Sequence, residues 1–494
     1  MKDAQLYWQP YRLFPYEKKL GRREAEVLLQ PEELIENRYG LLAKNCQCTE
    51  NLDDLVYFAS YAIDGQLHNT LQAKRERNQE QKQNTRYYSH GIHEYKGKFN
   101  PQIVRAIMNI SRCNRQKSIL DPFCGSGTSL LEAELQGCIA YGVDINPMAT
   151  FIASVKTEII SSKQTILHFD YDTFMQEVQQ QSKQQITTDN ARTQYLRNWF
   201  LPEILQCIEA WKAKADTITN KALRGLLLLS VSNILRDYSE QEPSDLRIRR
   251  RTSPYPKEDI WEAIKKNFQK SVAKIAELHD EDIVPPTIEP VILNHSIKNI
   301  RSKDFPQFDL AVTSPPYATA LPYIDTQRFS IVWLGLDTPQ NIRALECSLI
   351  GSRETMSKYE RDQCLRDMTE NRYQLCESVF DFCTSLQRRL SMNDGFRKQH
   401  TPFLLYRYFA EMAEMFEAIH PVLKPDAYYC LVVGYNKTNI GGETTVIDTP
   451  SLLADEAKAK GFTLQEIFPL ETYQRYGLHA KRAITGEALI ILKA

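Results

Sequence analysis

The rhythm of apolar and polar positions changes several times along the chain, and each change marks an element. From Pro101 the residues Val104, Ile107, Met108 and Ile110 recur at helical spacing, and Pro101 suits a first helical position. A short apolar run, Ser118 to Leu120, leads into DPFCGSGTSLLEAELQGC, which reads as strand, glycine-rich turn and helix with Leu130, Leu131 and Leu135 inward. The run CIAYGVDI follows as a second strand ending at Asp144, a strand–helix–strand start of the doubly wound kind. From about Ala153 to Pro290 the pattern is mostly helical, with a buried helix over Asn220–Leu235 and an amphipathic one over Lys257–Leu278. Between them lies SDLRIRRRTSPYPKED, where Pro254 and Pro256 break any helix. Strand texture returns in PVILNHS and FDLAVTSPPY, and residues from about 335 to 400 are charged and helical again. A helix carrying Phe409, Met412, Phe416 and Ile419 then leads to the strand Tyr428–Tyr435. The segments GFTLQEIFPLETYQRY and EALIILKA close the sheet as two further strands.

This order predicts an α/β fold whose sheet elements fall in two blocks, split by a helical insertion of more than a hundred residues. The expected parts are an N-terminal accessory region over 1–88 and a first sheet-forming block over 89–152. A helical insertion over 153–289 follows, then a second sheet-forming block over 290–494 with a helical insert at about 335–400. The first 85 or so residues alternate short apolar clusters with charge and end in the polar run Ala73–Arg86. Such a run is expected to be a solvated helix or linker, and secondarily a phosphate-contacting arm. No repeat of 20 to 50 residues is evident.

With 494 residues the chain exceeds one ordinary domain. Its 61 Lys and Arg against 62 Asp and Glu exclude a chain basic throughout, but leave room for a local groove that binds phosphate. Eleven cysteines are scattered, and Cys46 and Cys48 lack zinc-ribbon spacing, so a reduced, cytoplasmic protein without metal is expected. No apolar stretch reaches the roughly 18 residues of a membrane span, and the first residues lack a secretory core.

Two constellations carry chemistry. In Asp121-Pro-Phe-Cys-Gly-Ser-Gly-Thr128, Gly125 and Gly127 let the backbone bend and approach a ligand at the sheet's carboxyl edge. A dinucleotide fingerprint would need a third glycine where Leu130 stands, which disfavours nicotinamide or flavin nucleotides. Asp144, at the end of the next strand, suits the two hydroxyls of an adenosine ribose. In Asp309-Leu-Ala-Val-Thr-Ser-Pro-Pro-Tyr317, Pro315 and Pro316 stiffen a backbone whose carbonyls lack ladder partners. A rigid carbonyl with the Ser314 hydroxyl can accept hydrogen bonds from an amino group, and Tyr317 can stack on a flat heterocycle.

These motifs, with His93-Glu-Tyr-Lys-Gly-Lys-Phe-Asn-Pro101 upstream, resemble those of the DNA amino-methyltransferases, which use S-adenosylmethionine. DPFCGSGT resembles their cofactor motif, TSPPY their catalytic motif in the form typical of N4-cytosine enzymes, and the upstream segment the one that packs on the cofactor's methionine part. The resemblance covers about 90–150 and 290–494. It implies a Rossmann-like methyltransferase fold, a mixed seven-stranded sheet with helices on both faces, here with a large helical insertion. It further implies that Lys98, Phe99, Pro101, Asp121, Phe123, Gly125, Ser126, Gly127, Thr128, Asp144 and Ile145 bind the cofactor. Ser314, Pro315, Pro316 and Tyr317 would act on a flipped base in double-stranded, specifically recognised DNA inside a prokaryotic cytosol. Any restriction endonuclease acting on the same site would be a separate chain.

Two features depart from the family pattern: the cofactor motif precedes the catalytic one, and Asn294-His295-Ser296 stands where an acidic residue is common. His295 is therefore either an adenine-side residue or an ordinary satisfied histidine. Tyr323 and Asp325 are weaker candidates for the pocket rim. A cytosine-C5 enzyme is excluded because the chain has no Pro-Cys dipeptide. Adenine N6 remains the rival to cytosine N4; an RNA methyltransferase and a catalytically silent DNA-binding regulator are the other readings. For DNA contact the candidates are Arg247, Arg249, Arg250 and Arg251, four arginines in five positions, and otherwise the segment with Arg353, Lys358 and Arg361.

Overall fold

The computed structural model describes residues 1–76, 82–183, 188–279, 283, 288–301, 303, 305–318, 323–353, 357–471 and 486–494. At its centre lie β1 (Ser118–Asp121), β2 (Ile139–Asp144), β3 (Val291–Asn294), β4 (Phe308–Thr313), β5 (Leu423–Gly434), β6 (Thr463–Leu470) and β7 (Glu487–Lys493). They form one sheet in the order β6-β7-β5-β4-β1-β2-β3. The pairs from β3 across to β5 are parallel, and β7 runs antiparallel between β5 and β6. This is a Rossmann-like α/β fold with a mixed seven-stranded sheet. Both faces are covered, so its central strands are apolar without alternation: Leu310, Ala311 and Val312 are all fully buried.

Leu120 of β1 pairs with Tyr141 of β2 on one side and with Ala311 of β4 on the other. The chain order therefore reverses between β1 and β4, and the loops leaving their carboxyl ends diverge to leave a crevice. The strand expected over Phe308–Tyr317 stops at Thr313, because Pro315 and Pro316 have no N–H for the ladder. The strand expected from Tyr428 begins already at Leu423.

In the helical insertion, the expected buried helix spans Lys221–Ser232, capped by Asn220 accepting from the Leu223 amide, and the amphipathic one spans Ile260–Ala276, capped by Asp259. The first of these packs with the helix Pro147–Leu167 in one core that includes Ile152, Val155, Ile159, Leu226 and Leu229. Among the described residues no helix is long and apolar enough to cross a membrane.

The N-terminal region is more regular than its mixed pattern of clusters and charge indicates. Its strands Glu33–Glu36, Gly40–Cys46, Lys2–Trp8, Phe58–Ile63 and Gln66–Asn69 lie side by side in that order, antiparallel, with the helix Pro15–Leu29 on one face. That helix meets Pro101–Ile110, where the Asn109 amide donates to Glu24 at 2.6 Å, and Arg23 reaches Glu466 of β6 with two bonds of 2.7 and 2.8 Å.

The polar run that starts at Ala73 is not simply solvated. Arg75 and Glu76 are about 1% exposed; Arg75 donates to the Leu135 carbonyl at 2.9 Å, and Glu76 accepts from the amides of Gln72 and Gln102. Polar side chains bury here because backbone and side-chain partners satisfy them. Residues 77–81 of that run lie outside the described residues.

Candidate active site

After β1 the chain turns sharply through Gly125 (φ +50°) and Gly127 (φ +75°) into the helix Thr128–Leu135. Gly127 is required twice over. Its φ is left-handed, and a Cβ there would lie 2.7 Å from the Ala153 Cβ and 2.9 Å from its Cα.

The Asp121 carboxylate, 3% exposed, fastens this corner to the next motif. It accepts from the Phe123 amide at 3.1 Å, from the Thr313 hydroxyl at 2.6 Å and from the Ser129 hydroxyl. Burial pushes its pKa up to about 6, against the pull of those donors. Asp144, at the end of β2, accepts from the Gly125 amide at 2.9 Å and the Asn146 amide at 2.8 Å. Burial raises it to about 6 as well.

The diproline corner is pinned from three sides. Ser314 Oγ donates to the Val432 carbonyl at 3.2 Å, the buried Tyr408 hydroxyl donates to the Pro316 carbonyl at 3.1 Å, and the Tyr317 hydroxyl donates to Glu487. The Tyr317 ring lies flush on Gly434, where a Cβ would come within 3.1 Å of it. Gly434→Val is therefore expected to displace the ring and slow turnover about tenfold without weakening ligand binding at the glycine corner, since small misplacements at a reacting centre are costly. Parallel rate and calorimetric measurements check this.

The two corners share one narrow slot of about 80 Å³. Gly125, Asp144 and Ile145 line one side, Ser314 and Pro316 another, and the rings of Phe123, Tyr95 and Tyr323 narrow it. The residue types suit an adenosine: the Asp144 carboxylate, able to take paired hydroxyls, lines the slot with the apolar Phe123 and Ile145 and with Gly125, which carries no Cβ. Among the described residues no group of three or more His, Cys, Asp or Glu side chains is suited to a metal.

Other expected cofactor residues lie elsewhere. Asp121, Ser126, Gly127 and Thr128 are buried beneath the slot, with Ser126 Oγ accepting from the fully buried Lys156 at 3.0 Å. Lys98 and Phe99 border a separate cavity of about 300 Å³, where Lys98 donates to the Thr85 and His90 carbonyls at 2.7 and 3.0 Å. Pro101 is the buried first residue of its helix. From the upstream segment it is Tyr95 and Gly97 that reach the slot. His295 lines it too, while Asn294 donates to the Asp144 and Ile145 carbonyls at 3.0 Å and buttresses the end of β2. Tyr323 is at the rim, whereas Asp325 pairs with Arg328. Asn146 donates to Gln327 at 2.8 Å, tying the slot to the helix Tyr323–Leu334; nothing in its sequence context distinguishes it from an ordinary helix cap.

The four arginines do not form one patch. Arg251 donates to the Ser239 carbonyl at 2.7 Å and lies over Tyr255, and Arg250 stacks on Trp199 with its guanidinium 4.3 Å from the ring. Arg249 is exposed near Asp245. Arg247 turns instead toward a wide second cleft, which Arg353 and Arg361 also line. Lys358 opens the helix Lys358–Thr369, which carries Arg361.

The fold is that of the Rossmann-like methyltransferases. Residues 91–195 match the family described as UPF0020, RMKL-like, methyltransferase domain. The chain is 23% identical over 377 residues to the Type II methyltransferase M.MvaI of Kocuria varians, covering 72% of this chain and 78% of that protein. It is 22% identical over 429 residues to the Type II methyltransferase M.BsoBI of Geobacillus stearothermophilus, covering 78% and 81%. A shorter match, 39% over 67 residues, joins 14% of the chain to 20% of a tRNA (guanine(10)-N2)-dimethyltransferase of Pyrococcus abyssi. The similarity to Type II methyltransferases thus extends well beyond three motifs, to most of the chain.

Proposed function

We propose that the chain transfers a methyl group from S-adenosylmethionine to the exocyclic N4 amino group of a cytosine flipped out of duplex DNA at a specific sequence. The observation that carries this reading is the shared slot. The glycine corner with Asp144 and the diproline corner with Ser314 face one cavity, held together by the Asp121–Thr313 bond.

Asp144 would hold the ribose hydroxyls, with Phe123 and Ile145 flanking the adenine. When bound, the cofactor supplies an electrophilic methyl on a sulfonium. The cytosine amine is a poor nucleophile because its lone pair is delocalised into the ring. Ser314 Oγ spends its proton on the Val432 carbonyl, so its lone pairs accept an amine N–H. The Pro315 carbonyl is the proposed second acceptor; the Pro316 carbonyl already takes one bond from the Tyr408 hydroxyl. Holding both N–H groups favours a more tetrahedral nitrogen aimed at the methyl, and catalysis rests on positioning and polarisation without a covalent enzyme intermediate. Tyr317, locked by Gly434 and Glu487, walls the base pocket.

A hydroxyl at Ser314, rather than a carboxylate or amide, favours cytosine N4 over adenine N6. The similarity to Type II methyltransferases over most of the chain, against a match to a tRNA enzyme over 14% of it, favours DNA over RNA. The test is transfer of tritiated methyl to DNA and to RNA, followed by nucleoside mass spectrometry. N4-methylcytosine from DNA is the expected product; N6-methyladenine would assign the rival base.

A further inference from the structure

The cleft that Arg247 enters has a volume of about 580 Å³, and its cations come from three parts of the chain. Arg247 belongs to the loop of the first helical insertion. Arg353, Arg361, Arg397 and Lys398 belong to the second, and Lys437 to the hairpin Asn436–Ile440/Glu443–Ile447. Among the described residues that line it there is no carboxylate, Asp394 pairing with Lys398 at 3.8 Å from outside the lining, in a chain whose net charge is only -1. The crowding is real in electrostatic terms: burial together with Arg247 and Arg397 pushes the Arg353 pKa down. Like charges brought together from separate elements call for a polyanion between them.

The cleft's position says which one. Pro316 lines the cofactor slot and Ala318, two residues on, lines the cleft, so the two cavities adjoin at the diproline corner. Phe396, 58% exposed, sits among the cations with the Arg361 guanidinium 5.2 Å from its ring and the His400 ring edge-on at 4.1 Å. An aromatic held in the open by a cation and a second ring is poised to stack on a planar group.

Building on the reading of the slot as a DNA methyl-transfer site, we propose that the two insertions and the hairpin act as one clamp on the phosphodiester backbone of the target strand. Phe396 stacks on a base beside the extruded one. Recognition is therefore divided between the insertions rather than housed in one of them.

The experiment uses the full chain and a fluorescent DNA duplex of arbitrary sequence, because non-specific affinity reports phosphate contacts directly. For Arg361→Ala/Arg397→Ala/Lys437→Ala, the slope of log affinity against log salt is expected to fall by about 2 to 3, with Kd up at least about tenfold. S-adenosylmethionine affinity by calorimetry is expected to stay unchanged, since none of the three lines the slot. Phe396→Ala is expected to keep the wild-type salt slope but to transfer methyl about tenfold more slowly, with rescue by Phe396→Trp. A wild-type salt slope in the triple variant would overturn the clamp, even where the wild type methylates DNA. Tighter retention of an RNA duplex than of the DNA duplex would overturn the assignment of the strand. Failure of the wild type to methylate any DNA would instead overturn the proposed reaction, and the salt slope would still judge the cleft.

Discussion

Ser314→Ala is expected to lower the rate of methyl transfer by about a hundredfold or more, while cofactor affinity stays within about twofold of wild type. The substitution removes one acceptor and little else. The backbone at this corner is stiffened by Pro315 and Pro316 and held by the Tyr408 hydroxyl on the Pro316 carbonyl. The preceding Thr313 remains tied to Asp121. The lost bond from Ser314 to the Val432 carbonyl is a neutral one, costing about 1 kcal/mol of stability. The amine, however, loses the group that orients one of its hydrogens when the nitrogen becomes pyramidal, an interaction strongest in the transition state. The rate should therefore fall without a matching change in binding. Saturation kinetics with tritiated cofactor, beside calorimetry, separate the two. An unchanged rate would remove Ser314 from catalysis, and an equal loss of cofactor affinity would place it on the cofactor instead.

Much of this site was legible because its chemistry is local. The glycine corner, Asp144 and the diproline corner each occupy a few consecutive residues, and their spacing reveals what the backbone does. The sheet was legible for a similar reason: strands buried on both faces, such as Phe308–Thr313, are continuous apolar runs. What the spacing does not carry is how distant segments meet. Lys98 and Tyr95 sit in one short segment, and only the path of the loop decides that Tyr95 enters the slot while Lys98 turns back to the Thr85 carbonyl. The arginine run was conspicuous as composition, yet Arg250 and Arg251 are used up on Trp199 and on backbone carbonyls, and the cations gathered beside Arg247 come from segments far along the chain. The N-terminal sheet was hidden because its short strands mix charged and apolar residues and share a small core.

Asp121 shows how the two kinds of information combine. Its place in the glycine motif suggested a cofactor ligand, but its side chain points down, away from the slot, and bonds to Thr313, 192 residues away in sequence. The pairing of β1 with β4 brings the corners to one edge, and this buried carboxylate sets their spacing. On the proposed reaction a methyl donor and an acceptor nitrogen must approach within about 3 to 3.5 Å, so a bond joining the two corners would belong to the catalytic geometry although it touches neither reactant.

The second large effect concerns Asp144. Asp144→Ala removes a charged acceptor suited to two hydroxyls, each such bond contributing about 1.5 kcal/mol or more, so the Kd for S-adenosylmethionine should rise about a hundredfold. The wild type should also show a pH dependence whose sign follows from burial. The Asp144 pKa stands at about 6, above the usual carboxylate value. The free protein therefore keeps the proton until higher pH, and that contribution to stability is lost as pH rises from about 4 to 6. Cofactor hydroxyls bind the ionised form best and pull its pKa back down, so affinity should weaken as pH falls through about 6. Asp121 has a similar pKa and titrates in the same window, but it lies under the slot, bonded to protein donors. Its protonation is felt in stability and in the alignment of the corners. Asp144→Asn separates the two acids: cofactor affinity should become weak and nearly independent of pH between 5 and 7, while the thermal stability profile keeps the Asp121 contribution. A pH dependence of cofactor binding that survives Asp144→Asn would move the ribose contact away from the end of β2.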